Sequence, residues 1–251
     1  MDLLLITPIL FFFIALVFSM LGMGGSQLYT PILFWLGMDF KTAAIPLGLL
    51  LNVVNSSSAA VTYGRKKLID WKVAAPFGVA MILFAPVGTW LNISLPTEPI
   101  ILIFALFTAT AAVLMLSGWR PKKGPLSRKK GAALGVIGGS VLGFFAGLIG
   151  RGGGSFVVPL LYMAGLGATT AAATSAFVVT CSGTSSLLSH IFTTAQPDWS
   201  IWALCISSVL TGSQIGSRLM ATKLKPRYVK VIFGVVLLGV AAILILQTYW
   251  L

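Results

Sequence analysis

Two stretches of this chain decide its reading: Ile149–Pro159, "IGRGGGSFVVP", and, 128 residues earlier, Leu21–Pro31, "LGMGGSQLYTP". Each closes one apolar run and opens another. Without a gap, Gly22, Gly24, Gly25, Pro31, Leu33 and Gly37 fall on Gly150, Gly152, Gly153, Pro159, Leu161 and Gly165. The match continues through Thr42–Ala44 on Thr170–Ala172 and through Ser57, Ser58 and Gly88 on Ser185, Ser186 and Gly216. Asp70 and Trp71 fall on Asp198 and Trp199, a pair that chance rarely repeats in a chain with five acidic residues and seven tryptophans. The chain therefore reads as an internal duplication.

The surrounding sequence is that of a membrane protein. Of 251 residues, 57% are apolar and 9% charged, and apolar runs near the length needed to cross the roughly 30 Å hydrocarbon layer recur throughout. Ten spans are expected, at 3–21, 25–38, 42–63, 71–91, 98–118, 131–149, 153–167, 169–192, 199–220 and 229–249. These make a first repeat over 1–118, a basic cytoplasmic linker over 119–130 and a second repeat over 131–251. The N-terminus, with Asp2 and no basic residues ahead of its apolar run, reads as a retained first span.

The formal charge of +12 resides between the spans. It reads as a topology signal on a chain embedded in a lipid bilayer, with no nucleic-acid partner. Five spans per repeat is an odd number, so the second copy is expected upside down. Charge agrees: Arg65–Lys67 corresponds to the neutral Thr193–Ala195, whereas "NISLPTEP" of the first copy, which has no basic residue, has a counterpart region holding Arg218, Lys223, Lys225, Arg227 and Lys230. The positive-inside rule then puts both termini outside. A rival arrangement, with 25–38 and 153–167 re-entrant, would place the loop from Lys223 to Lys230 opposite the basic linker, against that rule.

The short segments are where chemistry is expected. Thirteen helical residues from Gly25 to Gly37 reach only about 20 Å, too little for a straight crossing. Glycines ahead of them and Pro31 or Pro159 within them point to broken backbone followed by a half-helix starting inside the membrane, which is tolerated only against protein or a water-filled cavity. The N–H groups at such a start attract anions. The candidate binding residues are Gly24, Gly25, Ser26 and Gln27 in the first copy and Arg151, Gly152, Gly153, Gly154 and Ser155 in the second. Mid-span polar residues join them: Asn52, Asn55 and Ser56, with Thr180, Ser182, Thr184 and Ser185, a ring of uncharged donors.

One histidine and five acids offer neither a metal set nor a general acid–base pair, so no enzyme and no cofactor are expected. His190, Cys181 and Cys205 read as packed residues, Asp70 and Asp198 as helix starts, and Trp71 and Trp199 as interfacial anchors.

The repeated "LGMGGSQLYTPILFWLG" and "IGRGGGSFVVPLLYMAG", each followed by a Thr-Ala-Ala-rich helix, resemble the sulfite exporter TauE/SafE family of bacterial membrane proteins over nearly the whole chain. The resemblance implies a multi-pass protein of the inner membrane that exports a small sulfur-containing anion, sulfite or an organosulfonate. The first copy departs from the second in having Ser26 where Gly154 stands. An importer, a passive anion channel and a non-transporting scaffold are the alternatives.

Overall fold

The computed structural model describes residues 2–117, 128–150, 154–190, 199–222, 235 and 237–246. Among them every regular element is helical: α1 (Asp2–Leu21), α2 (Ser26–Trp35), α3 (Ile45–Arg65), α4 (Trp71–Ser94), α5 (Thr97–Leu116), α6 (Arg128–Leu148), α7 (Gly154–Met163), α8 (Ala168–His190), α9 (Trp199–Thr222) and α10 (Leu237–Leu246). One π-helical turn, Phe40–Ala44, leads into α3. It is started by Asp39, whose carboxylate accepts from Lys41 N at 3.1 Å and from Thr42 N at 2.8 Å. The segments Phe40–Arg65, Trp71–Ser94, Thr97–Leu114, Lys130–Leu148 and Ala168–His190 are each long and apolar enough to cross a bilayer. Large apolar side chains such as Ile9, Leu83, Trp90 and Ile137 lie exposed on the outside, as a lipid-facing surface requires and a water-facing one does not. The chain is an all-helical polytopic membrane protein.

The expected short spans are present and shorter still: α2 and α7 have 10 residues each, about 15 Å of helix. Their bounds, like those of α4 and α9, differ by the 128-residue repeat at both ends. Ahead of each sits a glycine with positive φ, Gly22 at 65° and Gly150 at 62°, a conformation that closes the preceding helix and that side chains disfavour. Of the expected tenth span, 229–249, the described part is α10; the basic linker and the loop from Lys223 to Lys230 lie almost wholly outside the described residues.

Packing between the halves gives the helix directions. On α6, Gly135, Gly139, Gly143 and Gly147 meet, in that order, Val73 and Phe77, Phe77 and Ala80, Met81, and Ala85 and Thr89 of α4, so the two helices run parallel. Their repeat counterparts do the same: Gly212 of α9 faces Phe12 and Ala15 of α1, and Gly216 faces Leu16 and Ser19. Both seams are made by small residues at four-residue spacing, which let backbones touch where lipid offers no hydrophobic drive. Helix α8 runs parallel to α4, with Thr174 beside Asp70 and Ser185 bonded to Ile82 O. Across the middle, Asn52 and Val53 of α3 meet Gly183 of α8, while Ser56 meets Thr180, so α3 and α8 are antiparallel. Helices at equivalent places in the two copies thus run in opposite directions at the central crossing. Each copy also lends its fourth helix to the other's first.

Candidate functional site

The site grows from the end of α1. Met23 N bonds back to Phe18 O at 3.2 Å, closing that helix, and the chain then turns through Gly24 at φ 73°. A Cβ on Gly24 would lie 1.8 Å from Asn52 Oδ1, so no other residue fits there. Helix α2 starts next with no cap of its own, because Gly25 in the cap position has no side chain. Leaving its first N–H groups unpaired at membrane depth would cost several kcal/mol.

Asn52, in the middle of α3, supplies the missing cap. Its Oδ1 accepts from Gly25 N at 2.9 Å, Ser26 N at 3.4 Å and Ser26 Oγ at 3.4 Å. One turn on, Asn55 Nδ2 donates to Gly24 O at 2.7 Å, and the Tyr29 hydroxyl lies 3.5 Å away. The two asparagines therefore hold a broken backbone to an unbroken helix, one with its acceptor and the other with its donor. Both are fully buried, and Asn52 Nδ2 and Asn55 Oδ1 have no hydrogen-bond partner among the described residues.

The heads of the two half-helices meet. Ser155 Oγ, in the first turn of α7, donates to Gln27 Oε1, in the first turn of α2. These are equivalent positions of the two copies, so the contact marks the local twofold axis of the repeat. Beside it, Gly154 packs so closely on Met23 that a Cβ would lie 2.2 Å from Met23 O. Thr180 Oγ1 bonds Ala176 O at 2.8 Å and Ser56 Oγ at 3.1 Å. Ser182 is fully buried, with no partner for its hydroxyl among the described residues. Helix α9 closes the cluster from the first copy's side: Ser213 Oγ donates to Asn55 O at 2.8 Å and Gln214 Nε2 to Ser58 Oγ at 2.6 Å.

Of the residues singled out in the sequence, Gly24, Gly25, Ser26, Gln27, Asn52, Asn55, Ser56, Gly154, Ser155, Thr180 and Ser182 come together at this centre. Thr184 does not; it is exposed on another face of α8. Ser185 turns to α4, where it donates to Ile82 O at 2.8 Å. Arg151, Gly152 and Gly153 lie outside the described residues. Sequence reasoning missed Ser213 and Gln214, because Ser207, Ser208, Thr211 and Ser217 on the same helix leave nothing to single them out. His190 is buried with Nε2 3.1 Å from Gly147 O, at the end of α6 and away from this centre. Among its described residues the centre is uncharged, built of amides, hydroxyls and the heads of two helices.

Comparison with known proteins agrees with this architecture. The chain is 24% identical to a probable membrane transporter protein of Methanocaldococcus jannaschii, over 94% of each chain. It is 28% identical to a probable membrane transporter protein of Sinorhizobium fredii, over 92% of this chain and 93% of that one. A sulfite exporter TauE/SafE family protein of Arabidopsis thaliana is 31% identical over 42% of this chain and 24% of its own length. No solved structure matches the chain. The family model described as sulfite exporter TauE/SafE matches residues 8–244, and the chain belongs to that family of membrane transporters.

Proposed function

We propose that this protein exports a small sulfur oxyanion, sulfite or an organosulfonate, by alternating access around the centre where α2 and α7 meet. The observation that carries the reading is the contact of Gln27 with Ser155 at the heads of two oppositely derived half-helices, buried in uncharged donors. Two helix N-termini directed at one place favour negative charge. Neutral side chains let an anion shed water without the tight hold that several fixed cations would impose. Export from a cell with a negative interior gains about 2.3 kcal/mol per charge per 100 mV, so the reading requires no coupling ion. It requires no catalytic residue either. Arg151 would add attraction for the anion from the second copy, placed at the cell's outer face with both termini.

Efflux of sulfite from loaded proteoliposomes tests the proposal. Saturable efflux, lost on Arg151→Ala in a protein that still melts like the wild type, supports it. Absence of sulfite or sulfonate efflux from the wild type refutes it, and a rate that never saturates with substrate replaces the carrier with a channel.

A further inference from the structure

Helix α5 is held to its neighbours at its midpoint, where the Phe107 ring lies 5.5 Å from that of Phe145 on α6 and 4.0 Å from that of Phe156 on α7. Beyond that contact a groove of about 630 Å³ opens, with Val113 and Ser117 of α5 on one side and Leu134 and Val141 of α6 on another. Its volume is that of sites which hold ligands, roughly 300–1,000 Å³. Gly138 also lines it and lets α7 come close, since a Cβ there would lie 2.8 Å from Leu160 Cδ1. Among the described residues that line the groove, Ser117 at the end of α5 is the lone polar one. From Leu134 to Leu142 the groove follows α6 for about 12 Å, most of the roughly 15 Å depth of one leaflet's hydrocarbon.

The duplication does not by itself require this groove. At the places of Gly138, Val141 and Met163, the first copy carries Leu10, Phe13 and Trp35. The second copy has given up that bulk where α5 crosses it.

Charge begins where the groove ends. The chain that joins Ser117 to Leu134 carries six basic residues, Arg120, Lys122, Lys123, Arg128, Lys129 and Lys130, and no acidic one. Lys130 is exposed and lies one helical turn, about 6 Å, before Leu134. An apolar slot open to the bilayer fills with hydrocarbon, because a void forfeits the dispersion contacts of its whole lining. The cationic end then favours a lipid whose head is anionic over one whose head is neutral. The positive-inside rule assigns that end to the cytoplasmic leaflet, whose anionic lipids attract basic segments.

We propose that the groove between α5, α6 and α7 binds one anionic phospholipid, with a hydrocarbon chain along Gly138 and Val141 and the phosphate held by the basic residues around Lys130. The site is separate from the centre where α2 and α7 meet and does not depend on which solute is carried. Pro159 and Met163 of α7 line it, so the lipid chain buttresses the half-helix whose head belongs to that centre.

The test is thermal unfolding of the full chain in detergent, titrated with phosphatidylglycerol or with zwitterionic phosphatidylcholine of the same chain length. Phosphatidylglycerol is expected to stabilise at about a tenfold lower concentration. Val141→Phe places at a half-exposed position the ring that Phe13 has in the first copy. It is expected to melt like the wild type without lipid and to raise the phosphatidylglycerol midpoint about tenfold. Lys129→Gln with Lys130→Gln is expected to move that midpoint about fivefold or more toward the phosphatidylcholine value, leaving the latter unchanged. Should Val141→Phe melt early on its own, Met163→Trp, which copies Trp35, reads the same groove. Equal midpoints for the two lipids in the wild type, or a wild-type titration in the groove-filling variant, overturn the site. So does a wild-type dimer that Val141→Phe dissociates, for then a second copy of the chain fills the groove.

Discussion

Replacing Gly147 by alanine tests the seam that joins the halves. A Cβ there would lie 1.9 Å from Ala85 O and 2.8 Å from both Ala85 C and Thr89 N, all of them backbone atoms that no rotamer change can move. Reaching ordinary contact requires α4 and α6 to separate by roughly 1.5 Å locally, and a gap of even 0.5–1 Å forfeits about a quarter to a half of each contact's dispersion energy. Overpacking of this kind costs about 1–3 kcal/mol. A clash this close with backbone belongs at the upper end, about 3 kcal/mol; alanine returns up to about 1 kcal/mol as the better helix former, leaving a net loss of about 2 kcal/mol. The shift also disturbs Gly147 O, which takes bonds from His190 Nε2 and Thr89 Oγ1. Gly131, on the same helix, is the control, because its nearest neighbour is Val73 Cγ2 at 3.9 Å. Thermal unfolding of the purified chain in detergent should show Gly147→Ala melting below the wild type and Gly131→Ala at or above it. Equal melting of Gly147→Ala and the wild type would refute the idea that backbone contact at this glycine sets the packing.

Two further outcomes follow from single hydrogen-bonded groups. Tyr63 is fully buried and its hydroxyl donates to Ser19 O at 2.9 Å, satisfying a carbonyl at the end of α1. Tyr63→Phe should therefore lower stability by about 1 kcal/mol in the same melting assay, and no change would remove that bond from the account. Asp39 accepts from the Thr42 backbone N–H, its hydroxyl and the Lys41 N–H, and these bonds hold its carboxyl below the usual aspartate range. A carboxyl depressed on folding stabilises fully above its unfolded pKa of about 3.9 and loses that contribution as pH falls through the folded value. Melting curves at descending pH should thus show a loss of stability below about pH 4 that is smaller in Asp39→Ala; identical acid profiles would discard the cap.

How far the sequence leads can be judged residue by residue. The glycine-proline signature located α2 and α7 to within a few residues, because breaking a helix inside a membrane demands particular residue types and length excludes a straight crossing. The 128-residue offset matches the bounds of α4 and α9, because local chemistry copies with sequence, and Asp70 reads as a helix start because a carboxylate favours the N-terminal end of a helix, where it caps α4. The role of the asparagines was not legible. In sequence Asn52 and Asn55 read as members of a ring of binding donors, yet each spends half its amide holding the turn at Gly24 and Gly25, which only the approach of α2 to α3 reveals. Nor could Thr184 be separated from Ser182. In α8, small hydroxyl residues are spread around the helix, so the amphipathic contrast that assigns faces in soluble proteins is nearly absent. The π-helical turn at Phe40–Ala44 carries no sequence signal beyond the capping aspartate.

The meeting of Gln27 and Ser155 has a consequence for direction. Were the two halves identical, exchanging their conformations would produce inward-open and outward-open states of equal energy, and neither side of the membrane would be preferred by the empty protein. On a symmetric axis, moreover, two copies of one residue would each have to act as donor and acceptor. A single covalent chain is released from both constraints. Gln27 facing Ser155, Asn52 opposite Thr180 and Ser26 opposite Gly154 are three places where the exchange no longer restores the same interactions. Under the alternating access proposed above, each unequal pair would tilt the balance between the two open states, and a tilt of about 1.4 kcal/mol would rest about ten empty molecules facing one side for each that faces the other.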